Sequence, residues 1–205
     1  MDEVVLRAMA RWPNVPAVYG WLSLDRRGQW RLKDEVIAHE GSVQFIGRNY
    51  QRGPDGSWYF QNGPQRVYVR LDYTPWVLFL TPGADGLTTH TGQEVEASGF
   101  WLDDAGSLLI DTPVGAGLLY DQDLSDALDR MQVASGDEDE LELVLDNPWR
   151  GEALGLCIAW QRVSWPVLHV SVSEVPSRFD FQPEPMPPAA AEADTAADMS
   201  KPDER

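Results

Sequence analysis

Apolar and polar positions alternate with a period of two in several short segments of the first half of the chain, which is the mark of half-buried strands. Tyr19-Gly20-Trp21-Leu22-Ser23-Leu24 predicts a strand, Asp25-Arg26-Arg27-Gly28 a turn, and Gln29-Trp30-Arg31-Leu32 the returning strand. From Val43 to Tyr50 the apolar spacing becomes helical, and residues 1–12 predict a short amphipathic helix stopped by Pro13 and Pro16. Turn residues at Pro54-Asp55-Gly56-Ser57 and Asn62-Gly63-Pro64 bracket Trp58-Tyr59-Phe60. Arg66 to Asp72 then alternates strictly, with Val67, Val69 and Leu71 on one face, and Trp76 to Leu80 reads as a buried strand.

The same plan returns further on. Leu24-Asp25-Arg26-Arg27-Gly28 is echoed by Leu102-Asp103-Asp104-Ala105-Gly106, and Val69-Arg70-Leu71-Asp72-Tyr73-Thr74-Pro75-Trp76 by Leu143-Val144-Leu145-Asp146-Asn147-Pro148-Trp149. The second half adds a helix over about Leu124 to Gln132, with Asp121 or Asp123 as its N-cap, an acidic loop at 136–140, and a strand at 141–145. Two further apolar segments, 154–163 and 165–172, lie outside the repeats and complete one or both sheets. The expectation is an α+β fold, mainly antiparallel β, of two duplicated hairpin–helix–hairpin lobes packed together. Residues 1–84 form the first lobe, 85–97 a linker, 98–180 the acidic second lobe with its closing strands, and 181–205 a disordered acidic tail.

Charge separates the halves. Residues 19–82 hold eight Lys/Arg against six Asp/Glu, whereas residues 97–152 hold two against fourteen, and the 205-residue chain carries a formal net charge of −17. Such a balance repels phosphate backbones and anionic membrane surfaces, so neither nucleic acid nor membrane is expected as a partner. No run approaches the roughly 20 apolar residues of a membrane span. The acidic start lacks the features of a secretory signal, and one cysteine, Cys157, agrees with a reducing compartment, so a cytoplasmic location is expected. Nine tryptophans enlarge the core available to a chain of this size.

Candidate chemistry is sparse. Asn62, Arg66, Tyr68 and Arg70 on one loop and strand, with Arg48 and Asn49, form a candidate ligand-binding patch for an anion or carboxylate; ordinary turn and solvated strand residues are the simpler reading. The Asp121-x-Asp123 run lacks the glycine and glutamate of a calcium loop. His39, His90 and His169 stand far apart, which disfavours zinc, although His39 beside Glu40, or His90 between threonines, could act as acid or base. Cys157 reads as a buried thiol, and both Asp-x-Pro-Trp tryptophans as packed within their own lobes; a tryptophan exposed at each equivalent place would instead suggest twin pockets. Phosphate-loop, serine-elbow and dinucleotide signatures are missing, and no cofactor is expected.

Arg11-Trp12-Pro13-Asn14-Val15-Pro16-Ala17-Val18-Tyr19-Gly20-Trp21-Leu22 and Gln61-Asn62-Gly63-Pro64-Gln65-Arg66-Val67-Tyr68-Val69 resemble strings of a bacterial, mostly beta-proteobacterial, family of small conserved proteins of unknown function. The element order is also similar to a second bacterial family with a two-lobed, mainly antiparallel structure. These resemblances imply a fold and no activity. The leading expectation is a non-enzymatic protein-binding module whose acidic lobe meets a basic partner or a second copy; the alternative is a small-anion-binding enzyme or sensor with a pocket between the lobes.

Overall fold

Residues 1–12, 15–81 and 86–188 are described by the computed structural model, and alternating positions place them in two sheets of six and nine strands. After helix α1 (Glu3–Arg11), the first sheet takes in β1 (Val18–Leu24), β2 (Trp30–Leu32) and β3 (Glu35–Val36). Helix α2 (Glu40–Arg48) crosses over to β4 (Tyr50–Arg52), β5 (Trp58–Asn62) and β6 (Gln65–Leu71). Its spatial order is β3-β2-β1-β6-β5-β4. Every neighbouring pair is antiparallel except β1 and β6, which the crossover brings side by side in parallel.

The second sheet opens with β7 (Trp76–Leu80), β8 (Leu87–Thr89) and β9 (Glu94–Val95), followed by β10 (Gly99–Asp103), β11 (Leu108–Asp111) and β12 (Gly117–Leu119). A single 3-10 turn and α3 (Leu124–Leu128) lead to β13 (Met131–Gln132). Helices α4 (Glu138–Asp146) and α5 (Gly151–Leu154) follow, and the sheet closes with β14 (Cys157–Trp160) and β15 (Val163–Val170), before a last short helix α6 (Val175–Arg178). Within this sheet the run β12-β11-β10-β15-β14-β13 repeats the order and pairing sense of the first sheet, with β10 parallel to β15 where β1 is parallel to β6. The β7-β8-β9 meander extends the β12 edge.

Several expectations change. The segments at 154–163 and 165–172 supply β14 and β15, which occupy the places of β5 and β6 in the shared order. The Asp-x-Pro-Trp correspondence therefore fails. Residues 141–145 lie in α4 rather than a strand, because Asp137 caps it by accepting from Asp139 N–H at 2.9 Å and three acids occupy its first turn, at the positive end of its dipole. Trp76 is buried at 6% exposure, but Trp149 stands 62% exposed. Helix α3 ends at Leu128, without a side-chain cap from Asp123, whose carboxylate instead accepts from Leu80 N–H at 2.8 Å.

The lobe boundaries move as well. Trp76–Leu80 pairs with β12, so the first sheet ends at Leu71, and the segment expected as a linker contributes β8 and β9, with Leu87 and Thr89 buried. Residues 181–188, expected as the start of a disordered tail, pack along the first sheet. Phe181 is buried, Gln182 N–H donates to the Gly56 carbonyl at 2.9 Å, Leu71 N–H donates to the Pro183 carbonyl at 2.8 Å, and Arg52 pairs with Asp180. The remainder of that expected tail, 189–205, lies outside the described residues. Cys157 is half-buried rather than buried, and its thiol donates to the Gln132 carbonyl at 3.4 Å.

Where the sheets meet, rings from both interlock. Trp30 and Tyr50 of the first sheet pack against His90, which follows β8, at centroid distances of 5.2 and 5.9 Å, while Trp58 meets Trp76 edge-on at 5.2 Å. Tyr50 O–H donates to the Pro75 carbonyl at 3.1 Å. Gly28 presses on the same spot: a methyl there would lie 2.7 Å from His90 Cβ, and the residue sits at φ +80°. Burial among these rings lowers the His90 pKa to about 3, against an opposing pull from Asp25. Because His90 Nδ1 accepts from Val77 N–H at 3.3 Å, the neutral ring carries its proton on Nε2.

An unfolded histidine protonates below about 6.5, whereas the folded His90 does so only near pH 3. Between those values the unfolded chain holds the extra proton, so stability is complete above pH 6.5 and falls as pH drops. The expected slope approaches about 1.4 kcal/mol per pH unit. Denaturant titrations between pH 4.5 and 6.5 should show this slope in the native protein and lose it in His90→Phe; an unchanged slope in the variant would show that other groups produce it.

Candidate functional site

Two hairpin turns with one chemistry face each other at the junction of the sheets. In the β1–β2 turn, Asp25 Oδ1 accepts from Arg27 N–H and Gln29 N–H at 2.9 and 2.8 Å. In the β10–β11 turn, Asp103 Oδ1 accepts from Ala105 N–H and Ser107 N–H, both at 2.8 Å. Each turn closes on a glycine in the left-handed region, Gly28 or Gly106, which explains why the Asp-x-x-Gly string recurs.

Tyr73, in the chain between the two sheets, ties these turns together. Its hydroxyl donates to Asp103 Oδ2 at 2.5 Å, and its ring lies 4.2 Å beneath the Arg26 guanidinium. Burial and the neighbouring Asp103 carboxylate push its phenol far above the ordinary tyrosine value. Arg26 also reaches across to donate to Ser107 Oγ at 2.9 Å, and Arg27 pairs with Asp121 at 2.6 Å.

Between the turns lies a cleft of about 300 Å³. Leu108, Leu118, Leu119 and Leu124 give it apolar walls, Ala105, Gly106 and Ser107 form one side, and Arg26, Arg27 and Asp121 form the other. Two guanidinium groups against a single exposed carboxylate make this a cationic spot in a strongly acidic chain. Each guanidinium has five donors, so donors remain for an incoming anion. Apolar walls with a few polar anchors at the rim are the general form of a small-molecule seat.

The residues of the anion patch expected from sequence are held by different partners. Arg48 extends from α2 to Asp2 at 3.3 Å, and Asn49 is buried, with its amide donating to the Phe45 carbonyl while its oxygen accepts from Asp2 N–H. Arg70 pairs with Asp34 and Asp72, both at 3.3 Å. Asn62 is exposed at the start of the β5–β6 turn. Only Arg66 and Tyr68 line a common cavity, beside α1 and remote from the turns in the chain's order. Arg26 and Arg27, which the structure places at the cleft, entered the sequence reading only as turn residues. Their signal was present in the contrast between Arg26-Arg27 and Asp104-Ala105 at equivalent turn positions.

The histidines do not converge. His39 Nδ1 accepts from Ser42 N–H at the start of α2, His90 is sealed in the ring cluster, and His169 meets Asp104 at 2.7 Å, which with Val172 N–H holds that carboxylate below its ordinary range. Among the described residues, no group of His, Cys, Asp or Glu is placed to hold a metal ion, and no helix is long and apolar enough to cross a membrane.

A second surface stands out on the α4–α5 segment, inserted between β13 and β14, which the first sheet does not have between β4 and β5. Leu143 is 45% and Trp149 62% exposed; α4 carries Glu138, Asp139, Glu140, Glu142 and Asp146, and the Arg150 guanidinium lies over the Trp149 ring at 5.2 Å.

Comparison with known proteins places this geometry in context. The family described as "Protein of unknown function (DUF2946)" matches residues 1–186. No curated protein matches the chain. A DUF1285 family protein from Silicibacter pomeroyi DSS-3, solved by crystallography, is similar in structure with a TM-score of 0.51 and 16% sequence identity, over 83% of this chain and 97% of that one. A DUF1285 family protein from Shewanella baltica OS155 is similar with a TM-score of 0.40 and 14% identity, over 52% of this chain and 88% of that one. The first likeness supports the strand-rich α+β fold.

Tyr73→Phe should lower stability by about 1–3 kcal/mol, because it leaves Asp103 Oδ2 without its donor in a buried place. Chemical denaturation checks it; a loss below about 0.5 kcal/mol would show that the link between the turns is not a stabilising one.

Proposed function

The chain belongs to the family described as Protein of unknown function (DUF2946), and we propose that it is a ligand-binding protein whose seat is the cleft between the two hairpin turns. The ligand is a small anion, carboxylate or phosphate, carrying an apolar group. Its charge meets Arg26 and Arg27, and its apolar part covers Leu108, Leu118, Leu119 and Leu124. The observation that carries this reading is the pair of adjacent arginines over leucine walls, where segments of both sheets contribute to one concave surface.

Asp121 acts on this seat with a definite sign. Paired to Arg27, it occupies donors that an anion would use and repels the anion as well. Hexanoate and hexyl phosphate should therefore raise the melting temperature more than inorganic phosphate or hexanol does. Arg26→Ala together with Arg27→Ala should weaken the binding by about ten- to a hundredfold, as expected for lost charge-assisted hydrogen bonds. Asp121→Asn should tighten it. Equal responses in the native protein and the double variant, or none to either hexyl probe, would refute this seat.

A second reading rests on the α4–α5 surface. Trp149 and Leu143, with the acids of α4, suit a protein partner with a basic surface and an apolar pocket, or a basic face of a second copy. Such a complex should weaken as salt rises, and Trp149→Ala should release it without lowering the melting temperature, since the ring is largely exposed. Cytoplasmic residence, a beta-proteobacterial origin and descent of the two sheets from one duplicated unit belong to the same proposal. They rest on the lone cysteine, the quoted strings and the shared strand order.

A further inference from the structure

A second cavity, of about 450 Å³, lies on the first sheet beside α1 and belongs to neither surface discussed so far. Met9 and Trp12 at the end of α1, with Val15 and Ala17 leading into β1, give it apolar sides, and Gln61, Arg66 and Tyr68 line it from β5 and β6. Gln61 and Arg66 are directly opposite each other in the β5–β6 ladder, on the same face of the sheet.

Gln61 is 1% exposed. Its amide nitrogen donates to the Gly63 carbonyl at 2.9 Å, but its buried Oε1 accepts from no donor among the described residues. A buried acceptor without a donor disfavours the empty state of the cavity and marks where a donor belongs. Arg66 stacks over Tyr59 at 4.8 Å, and among the described residues no carboxylate lies within ion-pair distance of it. Tyr68 is fixed by parallel stacking on Tyr19, with ring centroids 4.4 Å apart. Among the described residues, an acceptor without a donor thus stands one ladder step from a cation that is stacked on Tyr59 and feels only the longer-range pull of Asp55, under an apolar overhang.

We propose that this cavity binds the α-amino-acid unit: an N–H donor one carbon removed from a carboxylate, with an apolar side chain. The N–H donates to Gln61 Oε1, the carboxylate meets the Arg66 guanidinium, and the side chain packs against Met9, Trp12 and Val15. As directly opposed residues of the ladder, the two side chains leave one face of the sheet as nearest cross-strand neighbours, within reach of one small ligand. A free amino acid and the C-terminal residue of a peptide share this chemistry and differ in whether the donor is an ammonium or an amide.

Calorimetric titration of the full chain with leucine, N-acetyl-leucine, N-acetyl-leucinamide and 4-methylpentanoate tests the assignment. The expected result is binding of N-acetyl-leucine or leucine, with a loss of about tenfold or more for the amide, which lacks the carboxylate, and for 4-methylpentanoate, which lacks the N–H. The stronger of the first two identifies the source. Arg66→Gln, at an exposed position, and Gln61→Leu should each remove that binding, whereas the Arg26→Ala, Arg27→Ala double variant should leave it intact, so failure here is separable from failure at the inter-sheet cleft. If none of the four probes binds at millimolar concentration, or 4-methylpentanoate binds as tightly as N-acetyl-leucine, the Gln61 acceptor is served by water alone and the proposal is overturned.

Discussion

The relation between the two sheets depends on one packed cluster of rings. Trp30, Tyr50 and Trp58 come from the first sheet, Trp76 and His90 from the second; most of these pairs meet edge-on, the arrangement in which the positive rim of one ring faces the negative face of another, while Tyr50–Trp58 and Trp76–His90 are tilted. Among the described residues, Nε1 of Trp30 and of Trp58 and Nε2 of His90 have no hydrogen-bond partner, and the neighbouring rings pack about these side chains. Gly28 is the small residue that lets the β1–β2 turn come down onto His90, and this close approach carries the turn to the junction.

Once the turn is held there, its arginines reach the other sheet. Arg26 has Tyr73 below it and Ser107 across from it, and Tyr73 is anchored in turn by Asp103. The cleft is therefore a product of the junction and not of either sheet alone. The polarity is also a product of position: Arg26 and Arg27 stand in one turn where Asp104 and Ala105 stand in its counterpart. The clustered acids of the second sheet's α4 are displaced to an insertion at its far strands.

Local features were legible in the sequence where the interactions that fix them are local. Asp25 and Asp103 bond to amides two and four residues ahead, so both turns follow from the Asp-x-x-Gly strings. Residues 141–145 form a helix where a strand is expected, because an apolar run of that length fits either period and the capping Asp137 with the acids at 138–140 tips it to helix. Residues 181–188 look unfoldable by composition, yet Phe181 joins the buried core and the backbone of Asp180 and Phe181 passes close to Gly56. Of the site residues proposed from sequence, Arg66 and Tyr68 share a cavity, while Arg48 and Arg70 are drawn away by Asp2, Asp34 and Asp72, partners no spacing rule reveals.

By itself the sequence determined the strand-rich α+β character, the positions of the hairpins, the recurrence of one turn chemistry and the separation of charge between the halves, because alternation, turn geometry and net charge act over a few residues or over sums. Tertiary structure alone decided that β14 and β15 complete the second sheet, that Trp76 is buried while Trp149 is exposed, and that Arg26 and Arg27 share a cleft with leucines some 80 to 100 positions later. Those outcomes depend on long-range pairing and on which buried groups find partners, and the energies that settle them arise only when distant segments compete for the same space.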